Sequence, residues 1–259
     1  MIHSTSIIHP EAIIGQNVTI NPFVFIDKNV EIGDNTEIYP NAVILEGARI
    51  GKNCRIFPGA VVSGIPQDMK FNGEETLCII GDNTTVRECV TVNRGTAARE
   101  KTVVGNHCLL MAYSHVAHDC ILKDHVIIGN SSQLAGEVEI DDYAILSGGV
   151  LVHQFSRIGK HVIIQGGSRV GKDIPPYITV GREPITYSGV NIVGLRRRGF
   201  TNDQISQIQE IYRNIYQSGM NHSTAIKHVE THIADSVEKK EIISFITTSQ
   251  RGIIRGYLD

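Results

Sequence analysis

Residues Val104–Pro175 read VGNHCLLMAYSHVAHDCILKDHVIIGNSSQLAGEVEIDDYAILSGGVLVHQFSRIGKHVIIQGGSRVGKDIP. Every sixth position is aliphatic: Val104, Leu110, Val116, Leu122, Ile128, Leu134, Ile140, Leu146, Val152, Ile158, Ile164 and Val170. An α-helical stripe repeats near 3.6 residues, and a flat strand alternates with a period of 2. A strict period of six requires short strands joined by turns that re-aim the chain by a constant angle. Three such faces close one coil of about eighteen residues, and coils stack at roughly 4.8 Å, the spacing of hydrogen-bonded strands. The stretch therefore predicts a parallel β-helix, a solenoid of the repeat-array class.

Upstream, the same stride runs unbroken through Ile8, Ile14, Ile20, Ile26, Ile32, Ile38, Ile44, Ile50, Ile56 and Val62. Asn and Gly gather at the turns, as in Gly33-Asp34-Asn35, where left-handed backbone angles cost least. The stride stops near residues 63–78, resumes at Ile80, Val86 and Val92, and breaks again near 94–102. Both breaks are expected to be loops leaving the coil wall, on a functional face. After Ile174, Pro175-Pro176 ends the coil, and a connector is expected to about Gly194. Thr201-Asn202-Asp203-Gln204 is a capping-box pattern, followed by a helical apolar face at Ile205, Ile208, Ile211, Tyr212 and Ile215. Two further helices are expected over about 222–234 and 237–250. The chain thus divides into a β-helix over 1–190 and a small helical C-terminal domain over 191–259 that can cover the open end of the coil.

The 259 residues carry a net charge of -3 and give no global reason to expect nucleic acid. Tryptophan is absent and aromatics are few, as suits thin coils. The start, MIHSTSIIHP, lacks the basic region and apolar run of a signal peptide. Of five cysteines, Cys54, Cys78, Cys108 and Cys120 share the small-residue slot of the repeat and are expected as buried reduced thiols, so the cytoplasm is the expected compartment.

Chemistry concentrates at His115-Val116-Ala117-His118-Asp119. Val116 takes the inward position, so His118 falls on a turn, facing outward. Steps of eighteen residues place Gly136, Gln154 and Lys172 along the same edge, giving a histidine, a bare backbone, an amide and a cation in one column. A histidine beside a carboxylate suits a general base, and a glycine amide suits an oxyanion. The histidines also leave a metal open, since zinc needs three or four converging ligands and His107, His115, His118, His153 and His161 lie on neighbouring coils. Gln67-Asp68-Met69-Lys70, in the first break, could meet sugar hydroxyls and a phosphate, and Arg196-Arg197-Arg198 could fork onto a diphosphate.

Taken together, the hexads with IPQDMKF, HVAHDC, LAGEVEIDDY, VHQF and GVNIVGLRRRGF resemble the UDP-N-acetylglucosamine acyltransferase family of lipid A biosynthesis over essentially the whole chain. The resemblance implies a left-handed parallel β-helix, a homotrimer with sites between neighbouring coils, and no cofactor or metal. It implies transfer of an (R)-3-hydroxyacyl chain from acyl carrier protein to the 3-hydroxyl of UDP-N-acetylglucosamine, without nucleic acid or membrane insertion. By position, His118 resembles the family's general base, Asp119 its orienting carboxylate and Gly136 the oxyanion donor. Asp68 and Lys70 resemble sugar and phosphate contacts, with Gln67 beside them. His115 and Gln154 resemble further substrate contacts, and His153 adjoins them. Asn191 and Arg197, with Arg198 next, resemble residues that hold the nucleotide or the pantetheine arm. Gly166 falls where the family measures acyl length, and its bare position implies a long chain.

Two positions depart from the family pattern: Glu137 stands where histidine is frequent, and Val193 where glutamate is. Rival readings are an N-acyltransferase or acetyl-CoA-dependent enzyme on the same solenoid, a zinc hydratase, and a non-catalytic solenoid. Coils that begin by Ile8 speak against the extra N-terminal domain usual in the N-acyltransferase.

Overall fold

The computed structural model describes residues 1–256; the last three positions of the expected C-terminal domain, 257–259, lie outside the described residues. The chain winds into a left-handed parallel β-helix with three flat walls. Wall 1 runs from Ile7–Ile8 to Arg169–Val170, wall 2 from Ile13–Ile14 to Arg157–Ile158, and wall 3 from Thr19–Ile20 through Ile178–Gly181. Strands eighteen residues apart pair in parallel, as in Val116 with Leu134 and Leu134 with Val152. The second residue of each short strand points inward. Ile26, Ile38, Ile44, Ile56, Leu110, Leu122, Ile128 and Leu134 are all fully buried. Truncating one such side chain to Ala costs roughly 2–5 kcal/mol.

The two breaks lengthen single turns without disturbing this pairing. Ile80 still pairs with Ile50, thirty residues back, and Val104 with Ile80, twenty-four back. The extra residues bulge from one corner, between walls 1 and 2, on successive coils.

At the corner between walls 2 and 3 the turn residue sits in the left-handed region on every coil. Asn17, Asn35, Asn53 and Asn83 fill it first, then His107, His125, Tyr143, His161 and Tyr177. Because coils repeat at strand spacing, these last five rings stack face to face, with centroids 4.5–5.6 Å apart. Ring stacking of this kind offsets the cost of a positive φ in bulky residues.

One expectation is corrected here. Pro175-Pro176 does not end the coil, because Ile178–Gly181 adds one more rung to wall 3, pairing with Ile163–Ile164, and Thr186–Val190 folds back antiparallel on it. About half of the connector is therefore strand, and its short segments lacked the six-residue stride that would have shown them.

Among the described residues four helices follow: α1 (Ile192–Arg197), α2 (Asn202–Gln217), α3 (His222–His232) and α4 (Val237–Thr247). The capping box of α2 forms as expected between Thr201 and Gln204. The expected helix over 222–234 stops at His232, where extended Ile233 follows, and the one over 237–250 stops at Thr247. The apolar face of α2 joins the β-helix core as one cluster. Polar ties fix the joint. Tyr177 and Lys160 both meet Glu241 of α4, Tyr212 Oη donates to Pro176 O at 2.6 Å, and Arg157 covers the Phe245 ring at 4.5 Å. Cys54, Cys78, Cys108 and Cys120 are buried, and burial pushes the Cys78 thiol up to about 12.

Burial, reinforced by Arg198 and Lys160, pushes the His161 imidazole down to about 4 from 6.5, and its buried Nδ1 has no hydrogen-bond partner among the described residues. The unfolded chain takes up this proton as pH falls through about 6.5, whereas the folded chain resists until near 4. Stability is thus full above that window and lost within it. His161→Phe keeps the ring in the stack and removes the titration. Its thermal midpoint should fall less between about pH 7 and pH 5 than that of the parent; equal falls would remove His161 as a source of acid lability.

Candidate active site

The corner between walls 1 and 2 carries the candidate chemistry. His115–Val116 ends wall 1 on this coil and Ile121–Leu122 opens wall 2, so Ala117–Cys120 form the turn. Asp119, Glu137 and Phe155 occupy the same left-handed slot on three successive coils, with φ of 61°, 61° and 62°. Glu137 N donates to His118 O at 3.0 Å and Phe155 N to Gly136 O at 3.2 Å, which stacks His118, Gly136 and Gln154 in one column. The column stops there. One coil further on, Asp173 N turns instead to Gly252 O, so Lys172 stands apart, exposed.

His118 lies outside the prism, as the stride requires, but it does not face open water. It is 7 % exposed, because the two loops roof it. Its Nδ1 meets Asp119 Oδ2 at 2.7 Å. That contact puts the ring proton on Nδ1 and leaves the Nε2 lone pair free as a base. Asp68, from the first loop, brings Oδ2 to 4.0 Å from that Nε2, too far for a direct hydrogen bond and close enough for both groups to meet one sugar. Lys70 N donates to Asp68 Oδ1 at 3.0 Å, and Gln67 and Lys70 are exposed on the same loop.

Gly136 lies directly under the imidazole. A Cβ there would stand 2.6 Å from Cε1 and 2.7 Å from Nε2 of His118, so only glycine lets ring and backbone meet. Ala135 N and Glu137 N both donate to backbone carbonyls, whereas Gly136 N has no intrachain acceptor among the described residues. An unspent amide one coil from a base is the pairing that thioester chemistry uses.

His115 is half-buried in wall 1, its Nδ1 2.7 Å from Thr91 Oγ1, and burial lowers its pKa. Gln154, the last member of the column, and its neighbour His153 are exposed. Glu137 faces Arg99, whose Nε stands 4.0 Å from it while its Nη2 meets Glu139 at 2.7 Å. Val193, the second departure, is 61 % exposed on α1.

Four expected site residues do not join this corner within one chain. Gly166 lies on the turn between walls 3 and 1. Asn191 caps α1 beside the ring stack and is nearly fully buried. Its Oδ1 accepts from Gly194 N and its Nδ2 donates to His161 O, so it is first a structural cap. Arg197 is exposed on α1, and Arg198 lies over the Tyr143 ring at 4.9 Å. The five histidines read as possible metal ligands are spread over two corners and one wall, and among the described residues no group of three His, Cys, Asp or Glu side chains converges.

Sequence reasoning did not single out Thr96, Arg99 or Thr102. All three belong to or border the second break, whose polar interruption of the stride on the same corner was the signal.

A three-walled solenoid with a histidine–carboxylate pair and a bare amide at one corner suits acyl transfer. Comparison with known proteins narrows the class. Residues 101–136 match the bacterial transferase hexapeptide repeats, residues 2–108 the GMPPB C-terminal domain, and residues 173–254 the second domain of UDP-N-acetylglucosamine O-acyltransferase. The acyl-[acyl-carrier-protein]–UDP-N-acetylglucosamine O-acyltransferase of Chlorobium phaeobacteroides is 58% identical over 252 residues, 97% of this chain and 96% of that protein. Its counterpart in Chlorobaculum parvum is 54% identical over the same share. The solved UDP-N-acetylglucosamine acyltransferase from Bacteroides fragilis superposes with a TM-score of 0.97 at 58% identity, covering 98% of this chain and 100% of that one. This chain belongs to the UDP-N-acetylglucosamine O-acyltransferase family.

Gly136→Ala tests the contact under the ring. The added methyl should push the imidazole aside and cut turnover roughly a hundredfold, the usual cost of misplacing a reacting group by about 1 Å, with little change in thermal midpoint. Full turnover in steady-state assays would show that ring and amide need not be in register.

Proposed function

We propose that the protein moves an (R)-3-hydroxyacyl chain from acyl carrier protein to the 3-hydroxyl of UDP-N-acetylglucosamine, the first step of lipid A biosynthesis. The observation that carries the mechanism is the His118–Asp119 contact of 2.7 Å with the unspent amide of Gly136 beneath it. His118 Nε2 removes the proton as the sugar oxygen attacks the thioester carbon. The Gly136 N–H receives the oxyanion. As the carbon–sulfur bond breaks, the protonated imidazole returns its proton to the departing thiolate, so the enzyme ends unchanged and no acyl-enzyme forms. No nucleophilic side chain is required, because the sugar oxygen itself attacks the thioester; burial pushes the nearby Cys120 thiol up to about 12, which keeps it protonated within the prism. No cofactor or metal enters this scheme.

Asp68, Lys70 and Gln67 on the first loop take the sugar and its phosphates, with His115, Gln154 and His153 as neighbours and Glu137 acting through its Arg99 partner. Gly166, Asn191, Arg197 and Arg198 reach the substrate only from another copy of the chain, which supports a homotrimer. Exposed apolar groups support it too: Ile7 (66%), Phe25 (36%) and Leu151 (45%) face outward on wall 1, beside Phe23 (64%) and Tyr113 (63%) on the adjoining corner. A bare Gly166 leaves room for a long acyl chain. The reading divides the chain near residue 190 into catalytic β-helix and helical domain, and it places the enzyme in the cytoplasm. Among the described residues, no helix is long and apolar enough to cross a membrane.

Mass spectrometry of the product formed from hydroxyacyl carrier protein and UDP-N-acetylglucosamine tests the substrates directly. An ester on the sugar is expected, and a product formed only from acetyl-CoA would overturn the reading. His118→Ala should lower turnover by about two to four decades while circular dichroism stays that of the parent; unchanged turnover would remove His118 as the base.

A further inference from the structure

The second loop does more than interrupt the stride. Asp119 is completely buried, and every acceptor position of its carboxylate is occupied. Oδ1 accepts from the backbone amides of Thr96 at 2.9 Å and Arg99 at 3.2 Å. Oδ2 accepts from His118 Nδ1 at 2.7 Å and from the Thr96 hydroxyl at 2.6 Å. Asp119's own amide is held by Thr102 Oγ1 at 2.8 Å. Thr96 therefore supplies two of the four donors, one to each oxygen, and its hydroxyl shares the oxygen that His118 uses.

From this geometry we infer that Thr96 is a positioning residue for acyl transfer, acting through Asp119 to fix the direction and strength of the His118–Asp119 contact. The inference rests on His118 being the general base.

The physical case runs through the lone pairs. A buried carboxylate with two donors on each oxygen cannot rotate, since any rotation breaks two charge-assisted hydrogen bonds at once. The imidazole is then aimed by a fixed oxygen. Without the Thr96 hydroxyl, Oδ2 keeps only the imidazole. With three donors left, two of them on Oδ1, the carboxylate is held less firmly on the side that meets the ring, and its less compensated charge holds a protonated imidazole more firmly. The loop itself is well anchored: Arg94 N donates to Gly64 O at 2.9 Å, Thr76 Oγ1 to Gly95 O at 2.6 Å, and Glu100 N to Thr96 O at 2.7 Å. Arg94 also lies over Phe71 at 5.4 Å and meets Glu46 at 3.6 Å. The same segment therefore ties down the loop that presents Asp68. The hydroxyl's remaining bond, accepted from Ala98 N at 3.2 Å, is local to the turn.

The other charged or titratable groups that face His118 are Asp68, at 4.0 Å, and His115 on the same coil. Arg99 is turned toward Glu137 and Glu139. A change of the Thr96 hydroxyl leaves all of these in place.

Thr96→Val keeps the shape and the backbone amide and removes only the hydroxyl; Thr96→Ser keeps the hydroxyl. Both are assayed as the full chain, beside His118→Ala, for kcat and KM with both substrates, for the pH profile of kcat/KM and for thermal midpoint. Thr96→Val should lose about 10- to 100-fold in kcat, the range found when the outer partner of a metal-bound histidine is removed. Its KM for UDP-N-acetylglucosamine should stay within about twofold, and its acid limb should move to higher pH. Thr96→Ser should restore kcat and profile. A merely structural role would lower the midpoint and leave the profile in place. A Thr96→Val profile that superposes on the parent's while His118→Ala is inactive overturns this inference alone. A fully active His118→Ala overturns the general-base reading and this inference with it.

Discussion

Parallel stacking at a fixed register is the constraint from which the rest follows. Each strand borrows its hydrogen bonds from the coils above and below, so a residue's neighbours are eighteen positions away rather than adjacent in sequence. One consequence is a continuous aliphatic interior. Another is that each corner becomes a column of side chains at strand spacing. The rings from His107 to Tyr177 and the His118–Gly136–Gln154 column are the same geometric device, used once for cohesion and once for chemistry.

The loops convert a repetitive corner into a specific one. On the other corners, turn residues face solvent, their own kind or the helical domain. Above His118, two successive coils have lengthened turns, and what they add is a roof and a set of donors. A histidine on an ordinary turn would be wet and free to rotate. Here the imidazole has a fixed acceptor on one nitrogen, a carboxylate facing the other, and glycine backbone against its face. Burial of Asp119 would be costly if left unpaired. Four donors offset that cost, so the charge persists where it orients a base.

Much of this was legible in the sequence because period and chemistry coincide. The aliphatic stride dictated walls, corners and the eighteen-residue column, and so placed His118 over Gly136 without coordinates. The resemblance then attached roles to those positions. What stayed hidden depended on segments without a period. The last rung, Ile178–Gly181, and its antiparallel partner looked like a connector, because a single rung cannot display a repeat. Burial of His118 was missed because loop conformation has no stride to betray it, and the donors from Thr96 and Arg99 were missed for the same reason. Asn191, which the resemblance reads as a ligand contact, also caps α1, a duty that an asparagine ahead of a short helix does not announce in sequence.

The way the loops are inserted also decides where this architecture can change. Both leave and rejoin the wall between coils that remain in pairing, so their length adds girth at one corner and nothing along the axis. Either could be traded for a longer or differently charged segment without moving a single inward aliphatic. Novelty in what the protein accepts is thereby uncoupled from the integrity of what it is built on: the prism stays conservative while its one ornamented corner is left open to revision.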